Sequence, residues 1–476
     1  MNRRPGREND NETGRMIVKQ GPRNIIWITT DHMRYDCVGA HGNAAMNTPN
    51  LDRLVDEGIS FSHCYANNPL CMPSRCSFMT GCYPQQTGVM NNGHELPADF
   101  KPVAAQSFSA AGYRTVQIGK LHFQPHEDHD LDPRARNAYG FDVFHLSEEP
   151  GCYDDAYVKW LRGEYPDLVT TFAVDRPMTA GRRGSQMTAL DAPWQASHSG
   201  WIGTQACRYL NAWGPRPEPQ FMHLGFYAPH PPLNPTREMF APYRDAKLPE
   251  PLLSENDWRA PYSADREQLI EYRRHFYAMV TGVDLAVGLV LDELERMGQL
   301  DDTLIVFGSD HGDFCGDHGM CGKNPAYYES VVRMPWVMRW PDGFGTKSRR
   351  IDELVEMIDI LPTLLMLAGQ RPHPAMQGRS YAGALVGGDA VDGRSDVYAV
   401  HGGGDMMLRT RTHKYLRYFR GSGIEEVLYD LDKDPHEFRN VVELPEYGDV
   451  LFALRDRAFT RTVEASRSIR PKRCRF

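Results

Sequence analysis

The sequence predicts an α/β protein: a large mixed, mostly parallel sheet sandwiched by helices, followed by a smaller C-terminal α+β domain. Three observations carry this. Asn24–Thr30 and Thr303–Gly308 are unbroken apolar, β-rich runs, the pattern of strands buried on both faces. Each runs straight into an Asp-His pair, Asp31-His32 and Asp310-His311, and open parallel sheets place binding groups at the carboxyl ends of their strands. Helical segments alternate with further strand patterns along most of the chain.

A chain of 476 residues suits a large domain plus a smaller one. The net charge of −9 argues against a general binder of nucleic acid or anionic membranes, so an anionic ligand must be drawn by a local site. Residues 1–20 are polar and charged, with no apolar core of a signal peptide, and no later stretch is long enough to span a bilayer. The ten cysteines are scattered without zinc-like spacing and read as reduced thiols. A cytoplasmic protein is expected.

In chain order, Thr48–Gly58 is a short helix, capped by Thr or Asn and stopped by Gly58. Ile59–Tyr65 is a strand. Leu70-Cys71-Met72-Pro73-Ser74-Arg75 then enters a helix, since a first-turn proline forfeits an amide that has no helical partner. Cys71 lies at the positive N-terminal end of that helix, with Arg75 one turn along, a place for an anion and an activated cysteine-derived group. Ala104–Ala111 is a helix and Tyr113–Ile118 a strand leading into Lys120 and His122, two apart and so pointing the same way in an extended chain. Residues 124–194 read as long loops, with Tyr153, Tyr157, Trp160, Trp194, His198 and Trp201 as candidate pocket walls or packing residues. Gln220–Tyr227 is a strand ending at His230, which is held between prolines. Arg266–Met297 is a long helix, Lys323 follows the second Asp-His pair, and Trp336–Arg339 is a strand. Leu354–Gly369 reads as a helix interrupted near Pro362, and the Gly-rich stretch 378–393 as a linker. The remainder has β-like runs at 398–400, 414–419 and 427–431 and a terminal helix. The expected division is a polar tail 1–20, a catalytic domain 21–377 and a C-terminal subdomain 378–476.

Carboxylates on neighbouring strand ends suit a hard divalent cation. Lys, Arg and a helix N-terminus suit a tetrahedral oxyanion. Together they point to metal-assisted transfer of a sulfuryl or phosphoryl group.

Cys71-Met72-Pro73-Ser74-Arg75 matches the C-x-P-S-R signature of type I sulfatases, within the alkaline-phosphatase-like superfamily. The resemblance extends in order through Thr48–Leu54, Gly119-Lys120-Leu121-His122, Ala228-Pro229-His230-Pro231, Ser309-Asp310-His311-Gly312, Asp359–Thr363 and Leu428–Pro435. It looks closest to the choline-sulfatase and iduronate-sulfatase branch. It implies that a separate formylglycine-generating enzyme oxidises Cys71 to formylglycine, whose hydrated gem-diol is the nucleophile and passes through a covalent sulfo-enzyme intermediate. It implies Asp31, His32, Cys71, Asp310 and His311 around one divalent metal ion, Ca2+ first, with Mn2+ or Mg2+ next. Asp310 would also help deprotonate the attacking hydroxyl, and Arg75 would hold it. Lys323 and His230 would bind the sulfate and protonate the leaving alcohol, and His122 beside Lys120 would remove the second hydroxyl's proton.

The sequence departs from the family where many members carry a second Asp and an Asn. Here these are His32 and His311, and imidazole suits manganese or zinc better than calcium or magnesium. One charge removed a few ångströms away is worth roughly 4 kcal/mol at an effective dielectric near 20, enough to alter substrate preference. Sulfate monoester hydrolysis of a small organic or saccharide substrate is the leading expectation, and the lost charge favours a more highly charged anion such as a phosphonate or phosphate ester. A phosphonate monoester or phosphodiester hydrolase is second, and a non-catalytic binding protein third, should Cys71 remain a thiol. A homo-oligomer is left open.

Overall fold

The computed structural model describes residues 21–125, 139–150, 153–172, 187–214, 216–258, 265–323, 326–421 and 423–467. Eight strands form one sheet: β1 (Asn24–Thr30), β2 (Ile59–Tyr65), β3 (Arg114–Gly119), β4 (Val143–Leu146), β5 (Gln220–Gly225), β6 (Thr303–Ser309), β7 (Arg333–Arg339) and β8 (Arg349–Glu356). Their spatial order is β4-β3-β5-β1-β6-β7-β2-β8. All run the same way except β7, which is antiparallel to both β6 and β2. The carboxyl ends of β1, β3, β5 and β6 therefore open on one side.

The unbroken apolar runs are explained by alternation. Ile26 and Ile28 of β1 join Val116, Met222 and Phe307 under the helices His198–Trp213 and Arg266–Arg296. Ile25 and Trp27 face the other way, against Phe78, Phe108 and Leu364 of the helices Cys71–Thr80, Ala104–Ala110 and Ile360–Leu367. A strand with helices on both faces has no polar side to offer.

A second, antiparallel sheet of β9 (Asp396–His401), β10 (Asp405–Thr410), β11 (His413–Arg420) and β12 (Gly423–Asp430) lies in the order β12-β11-β10-β9. The helix Gly448–Ala465 covers one of its faces through Leu451, Leu454 and Ala458.

Four differences from the sequence reading have physical causes. Residues 354–356 finish β8 instead of opening a helix, because Leu354 and Val355 pair with His63 and Cys64 of β2. Pro362 consequently falls in the first turn of Ile360–Leu367, where it interrupts nothing. The Gly-rich stretch 378–393 contains a helix, Ala382–Gly387, whose Ala382 and Leu385 belong to the apolar core. β10 was not anticipated, since Met406-Met407-Leu408 is apolar without alternation; both faces are covered, Met407 packing with Tyr327 and Val331 and Met406 and Leu408 with Leu451 and Leu454. Within 124–194 the structure shows β4 and the helix Ala156–Glu164, while residues 126–138, 151–152 and 173–186 lie outside the described residues, as do the tails 1–20 and 468–476.

The small sheet's helix is tied to the large sheet by a buried charge cluster. Arg461 donates to Glu356 Oε1 at 2.6 Å and to Asp396 Oδ1 at 2.7 Å, and Arg394 lies 3.6 Å from Glu356 Oε2. Burial alone would raise the Glu356 carboxyl, but Arg394 and Arg461 hold it below its ordinary value. Removing one partner strands a buried carboxylate, so Arg461→Ala is expected to destabilise the fold by about 3 kcal/mol near pH 7. A depressed carboxyl stabilises above the unfolded glutamate's value of about 4.3, and the benefit disappears as pH falls through the folded value. The gap between wild type and Arg461→Ala in denaturant titrations should therefore shrink below about pH 4. A gap that widens there would contradict the assignment.

Candidate active site

Strand register brings the Asp-His pairs together. Thr30 of β1 pairs with Ser309 of β6, so Asp31 and Asp310 both stand one residue past a matched pair, and Asp310 N donates to Thr30 O at 3.2 Å. On the other side of β1, Gly119 of β3 pairs with Gly225 of β5. Gly119 has φ +89°, and a Cβ on it would lie 2.1 Å from Gly225 O, while one on Gly225 would lie 1.8 Å from Lys120 O. Two glycines are needed here, because the chains touch where Lys120 turns in.

The helix Cys71–Thr80 is buried along its whole length and ends at Gly81, in left-handed backbone with φ 67°. Its first turn is satisfied from outside: Met72 N donates to Asn92 Oδ1 at 3.1 Å. Ser74 Oγ donates to Asp310 O at 2.6 Å. Arg75, 1% exposed, donates from Nε to Asp310 Oδ2 at 2.8 Å, from Nη2 to Thr30 O at 3.0 Å and from Nη1 to Lys120 O at 3.4 Å. One guanidinium thus ties the ends of β1, β3 and β6.

Cys71 Sγ is where these elements converge. Asp31 Oδ1 lies 3.5 Å away, His311 Nε2 lies 3.3 Å away, and Lys323 Nζ touches the sulfur. Lys323 Nζ is also 3.1 Å from His311 Nε2, and Lys120 Nζ is 2.7 Å from Asp31 Oδ2. Side-chain atoms of Asp31, His32, Cys71 and His311 all lie within 4.8 Å of one another, a group that could hold a cation. Asp310 stands beside them, its Oδ1 3.7 Å from His311 Nε2 and accepting from the amides of His311 at 2.8 Å and His32 at 3.3 Å. The donors fit a metal: His32 Nε2 is buried with no hydrogen-bond partner among the described residues, and the oxygen, nitrogen and sulfur atoms around it are all ligand types.

His230 borders the pocket from the loop after β5. Its ring lies 4.5 Å from that of His32, Nδ1 is 2.6 Å from Pro231 O, and Nε2 is 3.9 Å from Glu149 Oε1. His122, in left-handed backbone with φ 58°, donates its amide to Glu148 Oε1 at 2.9 Å. Glu148 and Glu149 follow β4 and were not singled out from the sequence.

The electrostatics follow from burial among cations. Burial alone would push the Asp31 carboxyl up, yet Lys120 and Lys323 hold it well below the usual carboxylate range. Burial lowers the His311 and His230 imidazoles to about 4. Burial, and after it Asp31, pushes the Cys71 thiol up to about 12. Of the expected pocket walls, Tyr157 and His198 line a cavity with Tyr227, Ala228 and Met239, while Trp194 and Trp201 are core residues and Trp160 packs against the same core.

A family profile described as Sulfatase matches residues 23–370, and one described as N-sulphoglucosamine sulphohydrolase, C-terminal, matches 316–463. An arylsulfatase of Clostridium perfringens is 30% identical, with 91% of this chain and 92% of that protein covered. An N-acetylglucosamine-6-O-sulfatase of Bacteroides thetaiotaomicron is 27% identical, with 89% and 83% covered. The crystal structure of the phosphonate monoester hydrolase of Agrobacterium radiobacter superposes with a TM-score of 0.79 at 24% identity, covering 93% of this chain and 96% of that one, a likeness of fold. With the family profile spanning most of the chain and the Cys71 signature at the focus of the charged strand ends, the chain belongs to the sulfatase family of the alkaline-phosphatase-like superfamily and is a sulfuric ester hydrolase.

Proposed function

We propose that the chain hydrolyses sulfate monoesters of small organic or saccharide alcohols, with position 71 working as formylglycine made from Cys71 by a separate maturing enzyme. The observation that carries this reading is the convergence of Asp31, His311 and Lys323 on Cys71 Sγ. A thiol pushed up to about 12 is a poor nucleophile near pH 7. Hydrated formylglycine supplies a hydroxyl there, and a divalent cation held by Asp31, His32, His311 and residue 71, with Asp310 beside them, supplies Lewis-acid charge.

The chain's own residues do the rest. Lys323 and Lys120 draw the ester's anionic end into the pocket, and Arg75 holds the strand ends at their spacing. Asp310 accepts the proton of the attacking hydroxyl. His230 commits Nδ1 to Pro231 O and turns Nε2 toward Glu149. The anion and Glu149 raise its proton affinity, so that it donates to the leaving alcohol. His122, two residues past Lys120, takes the proton whose loss lets sulfate leave.

The division at 377/378 is proposed as the boundary between the part that holds the reacting groups and the part that shapes the mouth. The described cysteines outside Cys71 are unpaired thiols as well, which supports a reducing compartment. No helix among the described residues is long and apolar enough to cross a membrane.

The reading is tested by mass spectrometry of the peptide carrying residues 71–75, from protein made with the maturing enzyme, and by a panel of aryl sulfate, sugar sulfate, phosphonate monoester and phosphodiester. Aldehyde at position 71 and fastest turnover of a sulfate ester are expected. His32, neutral where many sulfatases carry a second carboxylate, favours the phosphonate ester as runner-up. A sulfate ester slowest in the panel would transfer the assignment to it.

A further inference from the structure

His32 is one of the two positions where the sequence departs from its family, and the structure supplies a partner that the sequence did not reveal. His32 Nδ1 lies 2.7 Å from Asp313 Oδ2. That same oxygen accepts from Tyr272 Oη at 3.1 Å, reaching in from the long helix Arg266–Arg296. Asp313 Oδ1 accepts from the amides of Cys315 at 2.7 Å and Gly322 at 3.0 Å. A carboxylate with four donors gathered on it acts as an acceptor only, so the proton it shares with the imidazole sits on Nδ1. His32 Nε2 is left with a bare lone pair. It is buried, has no hydrogen-bond partner among the described residues, and lies 3.8 Å from Asp31 Oδ1. His32 is also in left-handed backbone, with φ +70°, a conformation disfavoured for a residue with a side chain and kept where the surroundings impose it.

His311 repeats the arrangement with a backbone acceptor. Its Nδ1 lies 2.9 Å from Gly312 O, and its Nε2 faces Asp31 Oδ1 at 3.5 Å and Cys71 Sγ at 3.3 Å. The two rings stand 4.6 Å apart, edge to face, and each contributes a ring nitrogen to the cluster of candidate ligand atoms found among the described residues.

We propose that His32 is a metal ligand through Nε2, that Asp313 with Tyr272 behind it is the positioning residue that fixes that tautomer, and that the resulting two-imidazole site selects a borderline cation, Mn2+ or Zn2+, over the Ca2+ that the family resemblance implies. The preference follows from donor type. Ca2+ gathers six to eight oxygen ligands, whereas two imidazole nitrogens with one carboxylate are suited to manganese or zinc. The role of Asp313 follows from the rule that a ligating imidazole is held by an acceptor on its other nitrogen. The inference rests on the reading of Asp31 and His311 as metal ligands, not on the identity of the ester cleaved.

The test is calorimetric titration of the metal-stripped full chain with Mn2+, Zn2+ and Ca2+, together with pulsed electron paramagnetic resonance of the Mn2+ form. The full chain is expected to bind Mn2+ and Zn2+ at least about 100-fold more tightly than Ca2+. Asp313→Ala should weaken Mn2+ binding about 10- to 100-fold. Tyr272→Phe, which removes one hydrogen bond behind the carboxylate, should weaken it a few-fold. The nitrogen modulation should report two coordinated imidazoles in the wild type and one in His32→Gln. Tightest binding of Ca2+, a single coordinated imidazole in the wild type, or unchanged Mn2+ affinity in folded Asp313→Ala would each overturn the proposal. Should Asp313→Ala not fold, the imidazole count and the Tyr272→Phe titration decide it. None of these readouts needs turnover. A protein that binds Mn2+ as described but cleaves no sulfate ester would therefore overturn the functional reading and leave this one standing.

Discussion

Cys71→Ser is expected to abolish multiple turnover of a sulfate ester while leaving the fold intact. Serine keeps one hydroxyl among Asp31, His311 and Lys323, so it can accept a sulfuryl group. It has no second hydroxyl whose deprotonation would rebuild a carbonyl and expel sulfate. The expected result is release of the alcohol in a burst no larger than one equivalent, with the protein gaining the mass of one sulfuryl group. Cys71→Ala lacks even the first step, and its kcat/KM should fall by at least about 10^4, the scale on which loss of a covalent nucleophile is felt. Intact-protein mass spectrometry and a stopped-flow burst measure both, with the melting temperature as control. Sustained turnover by either variant would mean that position 71 is not the nucleophile.

Arg75→Ala is the second large effect, and it reaches both stability and activity. The guanidinium is 1% exposed and is shared among Asp310 Oδ2, Thr30 O and Lys120 O. Its removal leaves the Asp310 carboxylate buried beside Asp31 with no cation of its own, and opens the ends of three strands. The expected cost is about 3–5 kcal/mol, read from denaturant midpoints. Activity should be lost beyond what unfolding explains, because Asp310 and Lys120 are no longer held at their spacing. Arg75→Lys keeps the charge without the planar fork and should recover only part of either loss. A destabilisation below about 1 kcal/mol would show that the strand ends hold their positions without it.

The sequence alone settled the class of fold and most of its strands, because burial on both faces forces a strand to be apolar throughout. Asn24–Thr30 and Thr303–Gly308 could be read from composition and length. It also identified the family, because the C-x-P-S-R stretch and the two Asp-His strand ends are local patterns. Cys71, Arg75, Lys120, His122, His230, Lys323, Asp31, Asp310 and His311 all stand in such patterns. β8 and β10 were not legible, since helix and strand are equally served by short apolar runs such as Leu354-Val355 and Met406-Met407-Leu408. Pairing decided them, and pairing is a property of the assembled sheet.

The same limit applies to the contacts behind the reacting residues. Asp313 lies close in sequence to His311, yet its imidazole partner is His32, which belongs to another strand end, and its hydroxyl partner is Tyr272, on a helix that covers the sheet. Glu149 meets Lys120 and His230 only because β4, β3 and β5 are neighbours. Motifs name the groups that react, since chemistry constrains residue type at each position. Which acceptor sits on which nitrogen depends on distances between segments far apart in the chain, and only the tertiary structure decides those.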